Sequence, residues 1–205
     1  MNDKWLSFIY QISGQIYVPS RIKDTKKNKI LHISDTPYHI YAPINKLINS
    51  IKPDYIIHTG DMVDDIKLEM CHSKIEAYKK SVARLIRIFE CSGARGIYIA
   101  AGNHDDREFL KYLAGQFNII EENQVVQIDG MTFELSHKRE NIKGNAEYNL
   151  YGHSKSCPTQ IINGRYYLNG IQNIHVILYP DIEIHCLPYP SGTNDARMNR
   201  GRISI

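Results

Sequence analysis

Three short apolar runs, residues 30–34, 55–58 and 96–100, each end in polar residues that a buried strand would not carry. These ends are Asp35, then Gly60-Asp61, then Gly102-Asn103-His104. Segments of helical period lie between the runs. Residues 44–51 are stopped by Pro53, and residues 73–90 place Ile75, Tyr78, Val82, Leu85, Ile86 and Phe89 on one face before Ser92-Gly93 closes the turn. Phe109, Leu110 and Leu113 fit one further short helix. Strand followed by helix, three times over, predicts a parallel sheet with right-handed crossovers. The carboxyl ends of such strands share one edge, where ligands bind in open α/β sheets, so the three polar groups are expected to converge.

After Phe117 the rhythm changes to short strand-like runs at residues 118–120, 124–128, 131–135, 148–151, 166–168, 174–178 and 182–187. Asp129-Gly130 reads as a two-residue hairpin turn, and this half is expected to be mostly antiparallel. Residues 164–170 read as an edge hairpin on which a second subunit could pair, the one feature that favours a homo-oligomer. No internal repeat or low-complexity linker marks a boundary, so residues 1–205 read as one domain, with residues 1–28 as an N-terminal helical extension. In that extension Trp5, Phe8, Ile9, Ile12 and Ile16 recur at helical spacing, and this stripe is expected to pack on its own domain. Gln11 and Gln15 interrupt the stretch and no small-residue cleavage site follows, which argues against a secretory leader.

At 205 residues the chain can bury roughly 70% of its unfolded surface, and 42% apolar content excludes a disordered or collagen-like chain. It contains no run of 18 apolar residues, so no membrane-spanning helix is expected. Cys71, Cys91, Cys157 and Cys186 form no CxxC pair, and a core of this size needs no disulfides, which fits a reduced, cytoplasmic protein. Net charge is only +3, concentrated in Arg21, Lys23, Lys26, Lys27 and Lys29 and in Arg197, Arg200 and Arg202. Both clusters read as solvated loops, and they are the only support for a nucleic-acid partner.

His137 and His153 also follow strand candidates. Asp35, Asp61, Asn103, His137 and His153 together form a mixed oxygen and nitrogen donor set, which suits a divalent metal such as manganese, iron or zinc. Glycines precede Asp61, Asn103 and His153, where they would let the backbone turn beside a crowded site.

The stretches Asp35-Thr36-Pro37, Gly60-Asp61-Met62-Val63-Asp64, Gly102-Asn103-His104-Asp105, His137 and Gly152-His153-Ser154-Lys155 resemble, in order and spacing, the pattern of the calcineurin-like metallophosphoesterases. That pattern is D-x-H, G-D-x-x-D, G-N-H-[D/E], a lone His and G-H-x-H. The resemblance implies a four-layer α/β/β/α sandwich of two mixed sheets, as in small single-domain prokaryotic members. It also implies two metals bridged by Asp61. Asn103, His137 and His153 would complete one shell, Asp35 would serve the other metal, and His104 would stand beside the leaving-group oxygen as general acid or phosphate contact.

Two departures fall on the same metal position. Pro37 stands where the His of D-x-H is expected, and Lys155 where the second His of G-H-x-H is expected. One site therefore looks whole and its neighbour doubtful. The doubtful site has three readings: a weakly held second metal, with His39 as a substitute ligand; Lys155 as a replacement cation that pairs with Asp35 and contacts phosphate; or loss of hydrolysis. Asp64 and Asp105 are candidates to orient a ligand imidazole, while His32 and His58 read as packed core histidines. Tyr38, Tyr41, Tyr148, Tyr151 and Tyr189 could line a cleft and stack on a base, although most tyrosines in this chain should be packing. The expected function is metal-dependent hydrolysis of a phosphomonoester or phosphodiester by metal-activated water. The alternative is a weakened or inactive member that binds phosphate or nucleotide, or serves as a scaffold.

Overall fold

A computed structural model describes residues 2–113, 115, 117–121 and 124–198. Arg200 and Arg202 lie outside the described residues. The chain opens with helices α1 (Asp3–Ile12) and α2 (Ser20–Lys23). It continues through β1 (Asn28–Ile33), α3 (Tyr41–Ile51), β2 (Tyr55–His58), α4 (Ile75–Glu90), β3 (Gly96–Ala100), α5 (Arg107–Leu113) and β4 (Asn118–Ile120). There follow β5 (Val125–Ile128), β6 (Met131–Leu135), β7 (Tyr148–Tyr151), β8 (Gln160–Ile162), β9 (Arg165–Asn169), β10 (Ile174–Tyr179), β11 (Glu183–Leu187) and α6 (Thr193–Met198).

Two mixed sheets result, ordered β11-β10-β1-β2-β3-β4 and β5-β6-β7-β9-β8. β1 to β4 are parallel neighbours, as the strand–helix rhythm predicts. Pleating divides β1 between two cores. Leu31 and Ile33 face α3 and α4, where Ile44, Leu47, Ile48, Val82, Leu85 and Phe89 are buried. Ile30 faces the second sheet, and with Ile57 and Ile177 it meets Phe133, Leu135, Tyr148 and Leu150. On the outer face of the second sheet Ile142 packs on Tyr151 and Tyr167, beside a helical turn at Arg139–Asn141. α3 begins three residues earlier than its period suggests. It ends where Lys52 takes a left-handed φ of 48°, immediately before Pro53.

The second half is mostly antiparallel, in the pairs β5–β6, β8–β9, β1–β10 and β10–β11, but β6, β7 and β9 run parallel at the centre of the second sheet. The edge hairpin is real but lies earlier, at β8–β9, with its turn at Asn163-Gly164. The apolar stripe of α1 does not pack on the domain: Trp5, Phe8, Ile9 and Ile12 are 63%, 53%, 47% and 62% exposed. α1 is instead tied by polar contacts, Gln11 donating to the Tyr189 carbonyl and accepting from the Ser191 N–H, while Ile16 alone of the stripe is buried.

The inter-sheet core holds the two strand sets in register. Phe133, fully buried between the sheets, should cost about 3–5 kcal/mol of unfolding free energy when changed to alanine. Denaturant midpoints of Phe133→Ala and the parent protein at equal slope measure this.

Candidate metal centre

The carboxyl ends of β1, β2 and β3 deliver Asp35, Asp61 and Asn103-His104 to one edge, and the ends of β6 and β7 deliver His137 and His153 to the same place. The loops are stitched by backbone bonds: Asp35 N–H to the Gly60 carbonyl (2.9 Å), Thr36 N–H to the Asp61 carbonyl (2.9 Å) and Gly152 N–H to the His137 carbonyl (3.0 Å). Asp35, Asp61 and His153 all adopt left-handed φ, at 50°, 53° and 65°. Such non-glycine conformations cost about 1–3 kcal/mol each and persist only where their surroundings enforce them. The preceding glycines make room. A Cβ at Gly102 would overlap the Asp61 carboxylate, and one at Gly152 would overlap Ser34 and Asp35.

The centre is built around His137. Its Nδ1 lies 2.7 Å from the Thr59 carbonyl, an acceptor only, so Nδ1 carries the hydrogen and Nε2 presents a lone pair. Around that Nε2 stand Asn103 Oδ1 at 3.2 Å, His153 Nδ1 at 3.2 Å and Asp61 Oδ2 at 3.4 Å. The Asn103 amide is oriented by Glu69, whose carboxylate takes its N–H at 2.9 Å and so turns Oδ1 inward. Four atoms able to accept thus face one another, and a shared cation, or a proton on an imidazole, satisfies them. Separations of this size are what ligands about 2.0–2.1 Å from a single ion span, so the donor set fits a divalent metal. Without such an ion a proton takes its place. Burial disfavours charge on His137, but Asp61 and Asp35 outweigh it, and its pKa is pushed up to about 10. Burial alone would raise Asp61, yet His137 and His104 hold it well below the usual carboxylate range.

Asp61 also belongs to a second group with Asp64 and His104, whose ligand atoms all lie within 4.8 Å of one another. The His104 N–H donates to Asp61 Oδ1 at 3.1 Å, and its ring stands 3.6 Å from Glu69. Asp35 Oδ2 is held by the Ser34 hydroxyl at 2.5 Å and the His153 N–H at 3.1 Å. Asp35, Asp61, Asp64, Lys67, His104, His153 and Lys155 line a cavity of about 450 Å³. A second cavity of about 310 Å³ opens on the other side, past Asn103, His137, Lys138 and Arg107.

The model of the calcineurin-like phosphoesterases matches residues 28–188. The chain belongs to the calcineurin-like phosphoesterase family. A search of curated proteins finds no significant match. Among solved structures, an archaeal phosphodiesterase superposes with a TM-score of 0.52 at 20% identity, over 77% of this chain and 97% of that one. The phosphoesterase Yfce of E. coli gives 0.51 at 17% identity, over 78% and 98%. Both likenesses show the shared fold.

Against the family pattern, the second position has no imidazole at Pro37 or Lys155, and His39 is exposed on the turn after Pro37. Lys155 lines the cavity but is exposed and forms no ion pair with Asp35, so the expected pairing is not made. Asp105 orients no imidazole. Its half-buried carboxylate takes the N–H groups of Asp61 (2.9 Å), Met62 (2.9 Å) and Gly102 (2.8 Å) and the Tyr78 hydroxyl (3.0 Å), which locks two family loops together. The role expected of an imidazole-orienting carboxylate falls instead to the Thr59 carbonyl. His32 and His58 are packed, His32 against His175 and Thr59, His58 between the Gly60 N–H and the Thr36 hydroxyl. Tyr41, Tyr148, Tyr151 and Tyr189 are core residues, and Tyr38 pairs with Arg84.

Arg197 is not part of a solvated basic tail. It is 6% exposed, stacks on Tyr189 at 4.2 Å, and donates to the carbonyls of Asp35 (2.7 Å), Ile171 (2.8 Å) and Ser34 (3.0 Å). No spacing in the sequence separates it from Arg200 and Arg202. Arg197→Met should leave three buried carbonyls without this donor and lower unfolding free energy by about 1–3 kcal/mol or more, measured by denaturant unfolding.

A metal and a proton compete for the Nε2 lone pair of His137, which is protonated below a pH of about 10. Apparent affinity for Mn²⁺ should therefore rise about tenfold per pH unit between pH 6 and 9, with about one proton released per ion. Calorimetric titration in buffers of different ionisation enthalpy measures that release.

Proposed function

We propose that this chain is a metal-dependent phosphoesterase that hydrolyses a phosphomonoester or phosphodiester, with Asp61, Asn103, His137 and His153 as the ligands of its principal metal. The observation that carries this reading is the convergence of Asn103 Oδ1, His153 Nδ1 and Asp61 Oδ2 within 3.4 Å of His137 Nε2. The donor chemistry, two imidazoles, a carboxylate and an amide oxygen, suits manganese, iron or zinc. A bound metal of this kind polarises a phosphoryl oxygen and makes water acidic enough to attack at neutral pH.

The chain's own residues supply orientation and proton transfer. Thr59 and Glu69 fix the directions of His137 and Asn103. Asp61 belongs to both groups of ligands, and Asp35 lines the larger cavity. His104 lines that cavity, where its imidazole is placed to pass a proton to or from an oxygen; burial lowers its pKa. The larger cavity is the place for the phosphoester group, since it collects His104, His153 and the two lysines. Among the described residues no helix is long and apolar enough to cross a membrane, so the substrate is expected to meet the site from water.

A rival reading, a phosphate-binding member that no longer hydrolyses, draws on Pro37 and Lys155. Hydrolysis of an aryl phosphodiester by metal-stripped protein, titrated with Mn²⁺, separates the two. On the enzyme reading the rate rises with metal. Asn103→Ala and His153→Ala should each lose at least about 10–100-fold in metal affinity and the rate with it. His104→Ala should keep the metal and lose about 10²–10⁴-fold in rate. Metal binding with no rate for any aryl phosphomonoester or phosphodiester supports the rival.

A further inference from the structure

The second group of carboxylates is deeply buried and short of imidazoles. Asp35, Asp61 and Asp64 are 2%, 3% and 2% exposed and line one cavity. Three carboxylates in one desolvated place repel one another, and burial together with Asp35 and Asp61 pushes the Asp64 pKa up to about 8, a cost that countercharge relieves. The principal metal would touch only Asp61. Arg197, although near, spends its guanidinium on the carbonyls of Ser34, Asp35 and Ile171, and Lys155 stays exposed without an ion pair to Asp35.

One cation does reach the inner carboxylates. The Lys67 ammonium ion-pairs with Asp64 Oδ1, and its side chain is only 16% exposed. It lines the same cavity as Asp35, Asp61, His104 and His153. Its backbone is fixed. The Lys67 carbonyl accepts from the Met70 N–H (3.0 Å) and the Cys71 N–H (2.9 Å), and the adjacent Leu68 is buried. Asp64 is held in turn by its N–H on the Thr36 carbonyl at 3.2 Å. The pair is therefore a local contact, three residues apart, within the anchored loop after β2, and it is largely buried.

We propose that Lys67 is the built-in cation of the second metal position, so that the chain binds a single divalent ion and a phosphoester group lies between that ion and the Lys67 ammonium. The proposal rests on the metal-dependent reading above. One divalent ion and one ammonium together would match the three carboxylates in their ionised forms. A second divalent ion would have to displace Lys67 from Asp64 and would find no imidazole at Pro37 or Lys155. An ammonium is a compact cation with three donors, able to bind a carboxylate and a phosphate oxygen at once.

The test is metal stoichiometry, read by elemental analysis and calorimetric titration of the full chain with Mn²⁺. The parent protein should bind one ion per chain. Lys67→Gln frees Asp64 beside Asp61 and His104 and should bind a second, weaker ion. Lys67→Arg restores the cation and should return to one. A parent protein that binds two ions overturns the role of Lys67 and leaves the phosphoesterase reading standing. A folded Lys67→Gln variant that still binds one ion also overturns it. A parent protein that binds none defeats the metal-dependent reading itself, and circular dichroism of each variant separates loss of a site from loss of the fold.

Discussion

Four atoms able to accept that face one another within hydrogen-bond distance repel unless a cation or a proton stands among them, and this chain is organised to hold them there. His137 Nε2 is aimed by the Thr59 carbonyl, and Asn103 Oδ1 by Glu69. Asp61 and His153 reach the group through left-handed backbone at strand ends. None of these placements is favourable alone. They hold because β1, β2, β3, β6 and β7 end at the same level and their loops are bonded to one another, so the strain at each end is carried by two sheets and the core between them.

Two inward-facing charged side chains act as rivets in that frame. Asp105 gathers the N–H groups of the β2 and β3 loops, and Arg197 gathers the carbonyls of the β1 loop and of the segment after β9. They work from opposite sides and with opposite sign, one as acceptor and one as donor. The charge that remains inside the cavity is that of Asp35, Asp61 and Asp64 against Lys67.

The first half of the fold was legible because each strand ends in polar residues and each crossover helix shows a clean 3.6-residue period, as in Ile75 to Phe89 of α4. The parallel pairing of β6, β7 and β9 was not, because their connections are loops without period, and runs such as Tyr148–Tyr151, buried on both faces, look the same in either direction. The helical character of α1 could be read from its stripe, but spacing alone says nothing of what a stripe packs against, and Trp5 and Phe8 are in fact exposed. Within the centre, residues at strand ends and in the family motifs were legible. Thr59, Glu69, Lys67 and Arg197 were not, because each acts through a backbone group or through a position that only the folded chain brings near. Arg197 was further masked by the basic run around it.

The account depends on a single divalent ion among Asp61, Asn103, His137 and His153. Anomalous diffraction at the manganese edge, from crystals of the full chain equilibrated with Mn²⁺, tests this most directly. The account predicts one anomalous peak within bonding distance of His137 Nε2, His153 Nδ1, Asn103 Oδ1 and an Asp61 carboxylate oxygen. Saturating Mn²⁺ with no peak there, or with the only peak elsewhere in the molecule, would contradict it.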